Sequence, residues 1–296
     1  MQIVHFTAPQ LARMLGVNES TVKRWIDRGI LHSIRTPGGH RRIREGDLQA
    51  FLASQDKARK HSYVLTRRHK EVAAEPWRKY YELHYGRDHR KAREYLTASF
   101  IALGSVRQVI TTIVAPMLVE VGEAWHRGEI DIADEHRMTF LVRSDLLTLG
   151  TLLPSPKRHA PHAVFACVPE DNHELALVLL SLVAQEAGWE TTVLGINVPA
   201  NQIELECASN PTDLIVLAKI YPKAADAGYV RTLRTLPHAS DIPIVIGGSG
   251  WSPAELATLK RMKRVIHAAS LEVLVSTFGE YTPNPKKAAK HRSAAS

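Results

Sequence analysis

Val168-Pro169-Glu170-Asp171-Asn172-His173-Glu174-Leu175-Ala176-Leu177, followed by an apolar run to Gly188, sets how the rest of this chain is understood. The segment before it, 162–168, is a short apolar run with the length of a buried strand, and Pro169 stops it. Leu175, Leu179, Leu182 and Val183 then recur at helical spacing, so a helix starts just past His173. Between strand and helix lies a polar loop carrying Glu170, Asp171 and His173. A polar loop at the carboxyl end of the first strand of an open α/β sheet lies where such sheets bind ligands. A histidine there, with an aspartate two residues earlier, suits a metal ligand and the carboxylate that holds its other ring nitrogen.

Residues beyond this loop repeat the pattern. Strands are predicted at 162–168, 190–194, 213–218, 243–247 and 264–268. Helices are predicted at 173–187, 200–209, 225–236, 253–262 and 271–279. Five strands alternating with helices make a parallel, flavodoxin-like (Rossmann-type) sheet, here over 160–282. Ile246-Gly247-Gly248-Ser249-Gly250 follows the fourth strand, and its glycines let backbone approach a ligand closely.

Upstream, residues 77–159 contain few breakers and many apolar residues at helical spacing. Tyr95, Ser99 and Ala102 share one helix, and Val109, Ile113, Met117, Leu118 and Val121 the next. Ser105 with Gln108 reads as a capping box, and Pro116 bends the helix that holds it. Three or four helices packed as a bundle follow from this spacing. Within it, Gly128 breaks the chain between Trp125 and Glu135-His136. That places the indole at the end of one helix and the Glu-His pair on the first turns of the next, with all three able to face one mouth of the bundle.

Charge is uneven along the 296 residues. The net charge is +8, yet residues 1–60 hold eleven basic and five acidic side chains, and residues 286–296 four basic and none acidic. Everything between is slightly acidic. A basic module attached to a neutral body is the footprint of nucleic-acid binding. In residues 1–60, Thr7-Ala8-Pro9-Gln10 is a capping box that opens a short helix ending at Gly16. Asn18 caps a second helix whose Val22, Trp25 and Ile26 point inward, and Gly29 ends it. Its outward Ser20, Thr21, Lys23 and Arg24 suit base edges and phosphates in the major groove. A Pro37-Gly38-Gly39 turn then joins two short β-runs into a wing whose Arg35, His40, Arg41 and Arg42 suit backbone phosphates. A polar segment, 61–76, reads as a linker, and 283–296 as a basic disordered tail. The two cysteines, Cys167 and Cys207, form no disulfide framework and suit a reducing, cytoplasmic setting. No membrane-spanning run or signal peptide is expected.

Residues 3–52 resemble the MerR family, whose wing reads much like Thr36-Pro37-Gly38-Gly39-His40-Arg41-Arg42-Ile43. The bundle, the sheet, Asp171-x-His173 and Gly247-Gly248 together resemble the cobalamin-binding module of methionine synthase and its relatives. Adding Trp125-x9-Glu135-His136, the whole of 3–281 resembles the CarH/LitR-type transcriptional regulators, adenosylcobalamin photoreceptors that repress light-inducible genes. The resemblance implies a non-enzymatic regulator with a double-stranded DNA operator, adenosylcobalamin as cofactor, and a dimer or tetramer that light dissociates. It implies His173 as the lower cobalt ligand, with Asp171 or Glu170 on its other nitrogen. Trp125 and Glu135 would pack around the upper adenosyl group, His136 would take cobalt after light, and Gly247 and Gly248 would line the slot for the nucleotide tail. Two positions depart from the family motif. Ala176 stands where a glycine is usual, and Ala218-Lys219-Ile220 replaces a Ser-x-Leu. These departures leave room for a different tetrapyrrole or a partner protein as the signal. The DNA reader argues against a corrinoid methyltransferase or mutase subunit.

Overall fold

The computed structural model describes residues 5–14, 19–36, 39, 41–44, 46–48, 50–51 and 75–280. The Gly16 stop, the Asn18 cap, Pro37-Gly38 and His40 at the hairpin tip, nearly all of the 61–76 linker and the 283–296 tail lie outside the described residues. Contacts divide the chain into two compact units, one ending at Pro154 and the other beginning at Ser155.

In the first unit, strand β1 (His5–Phe6) leads into helix α1 (Ala8–Met14). The capping box is complete, since Gln10 N donates to Thr7 Oγ1 and Thr7 N to Gln10 Oε1. Helix α2 (Glu19–Asp27) ends at Gly29, whose φ of +68° carries the left-handed turn that lets Ile30 N reach back to Trp25 O. Strands β2 (Ile34–Arg35) and β3 (Arg41–Arg44) form the antiparallel hairpin, Ile34 opposite Arg42. The first β-run of the hairpin is only two residues long, and upstream of it the Ile30 and Leu31 amides donate to the Trp25 carbonyl to close α2. β1 pairs with the free edge of β3, giving the order β1-β3-β2. A two-residue strand has no periodicity to read, so the sequence does not announce it. Leu11, Val22, Leu31, Ile43 and Leu48 make the core of this part, and Leu152 with the partly buried Phe100 and Ile101 joins it from the helical bundle.

The bundle comprises α3 (Pro76–Tyr85), α4 (His89–Leu103), α5 (Val106–Val109), α6 (Ala115–His126) and α7 (Ile132–Gly150). α5 runs into α6 through a π-helical turn at Ile110–Val114, where Ala115 N bonds Ile110 O. Pro116 has no N–H for the turn below it and crowds that turn's carbonyl, and a locally widened helix relieves both. Val109, Ile113, Met117 and Val121 are buried as their spacing predicts. On α4 the buried side is instead Ala92, Leu96 and Thr97, while Tyr95, Ser99 and Ala102 are only half-buried. Tyr95 and Ser99 bond their hydroxyls to Pro76 O and Tyr95 O, which keeps them at the rim. The bundle also encloses a charge: buried Asp145 accepts from Tyr80 Oη at 2.9 Å and Arg93 Nε at 2.8 Å, with His84 Nε2 at 3.2 Å.

In the second unit, strands β4 (His162–Cys167), β5 (Glu190–Gly195), β6 (Leu214–Ala218), β7 (Ile244–Gly247) and β8 (Val265–Ala268) alternate with helices α8 (Glu174–Glu186), α9 (Ala200–Ser209), α10 (Ala227–Leu233), α11 (Pro253–Leu259) and α12 (Leu271–Glu280). All pairings are parallel, in the order β5-β4-β6-β7-β8. α10 is shorter than predicted. Asp226 caps its start, and past its end Arg234 donates to the carbonyls of Ser240, Ile242 and Lys263, which holds the chain in turns. α11 likewise closes early, at Leu259. β4 is buried along its whole length. On one side of the sheet Phe278 packs on Trp189 and Phe165, with centroids at 5.5 and 6.5 Å. The other side holds Ala166, Ile215, Leu217 and Ile246 in a continuous apolar core. The chain reverses direction across the sheet at β4, so the loops after β4 and β6 flank the crevice where such sheets hold ligands. Among the described residues no helix is long and apolar enough to cross a membrane.

Candidate functional site

The loop after β4 is organised by Asp171, which is fully buried. Its Oδ1 accepts from the backbone N of His173 at 3.0 Å and from His173 Nδ1 at 2.8 Å. Its Oδ2 accepts from Tyr221 N at 2.8 Å and from Ile220 N, both in the loop after β6. Burial pushes this carboxyl's pKa up, but the amides of Tyr221, His173 and Ile220 and the imidazole outweigh it, and the group sits below the usual carboxylate range. A carboxylate on Nδ1 fixes the proton there and leaves Nε2 as a lone-pair donor. The His173 side chain is 52% exposed, and its Nε2 has no partner among the described residues.

Asp171, rather than Glu170, therefore holds the ring. Glu170 takes a positive φ of 68° and its amide donates to Asn197 Oδ1 at 2.9 Å. Asn197 N in turn donates to Asp171 O. Asn197 is a supporting residue that the sequence does not flag, because its partner lies 27 positions away. Cys167 donates its thiol to His173 O at 3.7 Å, and burial, with Asp171 and Glu174 nearby, pushes its pKa up to about 12. It stays a neutral thiol and a poor metal ligand. No group of three or more His, Cys, Asp or Glu among the described residues makes a site for a bare ion. A corrin brings four nitrogens of its own to cobalt and could be held through a single imidazole, and His173 offers one with Nε2 open.

The two departures lie beside this loop. Ala176 is in the first turn of α8, its amide bonded to His173 O. Ala218 ends β6 and is buried, with no hydroxyl to offer. Lys219 is only 1% exposed, its Nζ 2.7 Å from Glu255 Oε1 and 5.0 Å from the centre of the Trp251 ring. The glycine loop packs directly on it. A Cβ at Gly248, where φ is +99°, would lie 2.2 Å from Lys219 O. A Cβ at Gly247 would meet Ala268 O at an ordinary 3.7 Å. Gly248 is thus required by the close approach of the chain's own backbone at Lys219.

In the first unit, Trp125 lies in the last turn of α6, 42% exposed. Gly128 at φ +71° turns the chain, Glu129 N reaching back to Ala124 O. Asp131 then caps α7 through Asp134 N at 2.7 Å. Glu135 accepts from Thr139 Oγ1 at 3.0 Å and pairs with Nδ1 of the exposed His136. The indole and the Glu-His pair flank one interhelical turn, as the position of Gly128 predicts.

Of the residues predicted to meet DNA, Ser20, Lys23, Arg24 and Arg35 are exposed. Lys23 pairs with Glu19 and Arg24 contacts Thr21. Arg41 turns to Asp27 at the end of α2, at 2.7 Å, while Arg42 lies on the opposite face of β3 from buried Ile43. Glu19 and Asp27 thus temper the basic face and orient two of its cations.

Comparison with known proteins fits this geometry. Residues 6–56 match a helix-turn-helix domain family, residues 161–270 a B12 binding domain, and residues 78–144 a second B12 binding domain family. The chain is 27% identical to the HTH-type transcriptional repressor CarH of Myxococcus xanthus, covering 80% of this chain and 87% of the relative. It is 26% identical to CarA of the same organism, covering 81% and 85%. The fold resembles the monomethylamine corrinoid protein of Methanosarcina barkeri, with a TM-score of 0.55 at 15% identity, over 68% of this chain and 96% of that one. A DNA reader joined to two B12-binding modules defines a DNA-binding transcriptional regulator of the B12-binding class. The chain is similar to the CarH and CarA repressors over about four fifths of its own length and most of theirs.

Proposed function

We propose that this protein is a transcriptional repressor whose hold on a double-stranded DNA operator is set by adenosylcobalamin and light. The observation that carries the reading is the His173 imidazole, with Nδ1 tied to buried Asp171 and Nε2 left open. His173 is assigned as the residue that would hold cobalt, Asp171 fixing its tautomer, and Gly247 and Gly248 are assigned to the slot for the nucleotide tail. Trp125 and Glu135 are assigned to the adenosyl group, against which an indole and a carboxylate would pack. His136, its Nδ1 paired with Glu135, is assigned as the ligand of the illuminated state. When bound, the cofactor supplies a cobalt–carbon bond that visible light breaks. A ligand that favours one packing of the helices shifts the population of an oligomer. Several modest DNA readers joined in a dimer or tetramer bind far more tightly than one, so dissociation releases the operator. Ser20, Thr21, Lys23, Arg24, Arg35, His40, Arg41 and Arg42 are assigned to DNA. The protein acts as a regulator and performs no chemistry on a substrate.

The test is to incubate the protein with adenosylcobalamin in darkness and follow the visible spectrum, the elution volume and operator binding before and after green light. Retained colour, a larger dark species and loss of both on illumination support the reading. Identical dark and light elution sinks light control, and a colourless protein fraction sinks the cofactor. His173→Ala is expected to lose cobalamin. Ala176 and the hydroxyl-free Ala218 favour a second reading in which the same domain takes a different tetrapyrrole. That reading is supported if adenosylcobalamin is refused and another tetrapyrrole is retained.

A further inference from the structure

Lys219 is the largest charged side chain enclosed in the second unit, and the role of His173 as a ligand does not account for it. Among the described residues its ammonium has one carboxylate partner, Glu255 Oε1, at 2.7 Å. The other oxygen of Glu255 accepts from Ser252 N at 2.7 Å, closing the capping box that starts α11. The Lys219 backbone is held as well, its N donating to Gly247 O and its O accepting from Gly250 N. The next two residues, Ile220 and Tyr221, are those whose amides hold Asp171 Oδ2. Asp171 Oδ1 holds His173 Nδ1. An unbroken run of contacts therefore joins α11 to the imidazole through the Lys219–Glu255 pair.

We infer that Lys219 and Glu255 are positioning residues for His173, fixing its orientation and tautomer through the Ile220 and Tyr221 amides and Asp171. The inference rests on the reading of His173 as the cofactor's ligand, and it concerns how this chain keeps that ligand aimed. An ammonium buried at 1% exposure is stable only while paired, because unpaired charges move to water. Lys219 occupies the middle of the tripeptide that departs from the family motif, so the pair anchors a loop that lacks the usual serine. Breaking it frees the loop on which Asp171 depends, and the imidazole then samples both tautomers.

The experiment uses full-length protein labelled with nitrogen-15 histidine, free of cofactor, and reads ring tautomers by long-range proton–nitrogen correlation. His173→Ala identifies the signal. The wild type is expected to show one tautomer, protonated at Nδ1. Lys219→Met and Glu255→Ala are each expected to give a mixture, and to weaken retention of hydroxocobalamin by about 10–100-fold, the usual effect of losing a partner that orients a metal ligand. Val230→Ala, a buried apolar truncation elsewhere in the unit, lowers stability without changing the tautomer. An unchanged His173 signal in either pair variant overturns the inference, as does an equal change in Val230→Ala. A wild type that refuses hydroxocobalamin while the tautomer still responds to both pair variants sinks the cofactor reading and leaves the positioning role standing.

Discussion

Replacing Asp171 with alanine removes the acceptor of four donors at once: His173 N, His173 Nδ1, Ile220 N and Tyr221 N. The carboxylate is fully buried, while His173 is half exposed. The two His173 donors regain water, so the main loss comes from the Ile220 and Tyr221 amides, which no longer have a charged acceptor. A stranded donor costs about 1–3 kcal/mol, and hydrogen bonds to charged groups lie at the upper end. The expected destabilisation of the second unit is about 4 kcal/mol, which lowers its melting temperature by roughly 8–16 °C at this size. Urea or thermal unfolding followed by near-ultraviolet circular dichroism reads it, since Trp189 and Trp251 are both buried in this unit. A pH series tests the cause. The Asp171 carboxyl lies below the usual carboxylate range in the folded protein, so its contribution is complete above about pH 4 and fades as pH falls through its lowered folded value. The gap between wild type and Asp171→Ala therefore narrows in acid. A loss below about 1 kcal/mol, or a gap that stays constant down to about pH 2, refutes the argument that this charge organises the loop.

Gly248→Ala is expected to cost about 2–4 kcal/mol, because the new Cβ would fall 2.2 Å from Lys219 O at a φ of +99°, while Gly247→Ala costs under about 1 kcal/mol; paired urea titrations compare the two. In the bundle, Asp145→Ala leaves Arg93 and buried His84 without their carboxylate and should cost about 3–5 kcal/mol, whereas Tyr80→Phe removes one bond and costs about 1.5–3 kcal/mol; equal losses would deny the charge its central place. Arg24→Ala should weaken operator binding and, if the contact is to phosphate, lower the slope of log affinity against log salt by about 1, as read by fluorescence anisotropy across a salt series; an unchanged slope with relaxed sequence preference would mark a base contact instead.

Local features carry far in this chain because they depend on neighbours in sequence. The Thr7–Gln10 capping box, the Gly29 and Gly128 helix stops and the alternation of five strands with five helices each follow from spacing and turn chemistry, and the structure repeats them. The Asp171-x-His173 spacing announces an imidazole with its orienting carboxylate for the same reason. The apolar stripe on α4 is misjudged because the Tyr95 hydroxyl finds Pro76 O on another helix, a tertiary partner that helical spacing does not contain, while Ser99 turns its hydroxyl back to Tyr95 O within α4.

What the sequence determined by itself is the order of modules, the parallel sheet and the loop on which a ligand would rest. Only the folded chain decided where the second oxygen of Asp171 goes, namely to Tyr221 N across 50 residues. It also decided that Lys219 is enclosed against Glu255, 36 residues on, and that Gly248 serves the Lys219 carbonyl. The reason is physical. Helix starts, stops and faces are settled by dihedral angles and periodicity within a few residues, whereas burial of a charge or close approach of two backbones depends on which strand ends the sheet brings together.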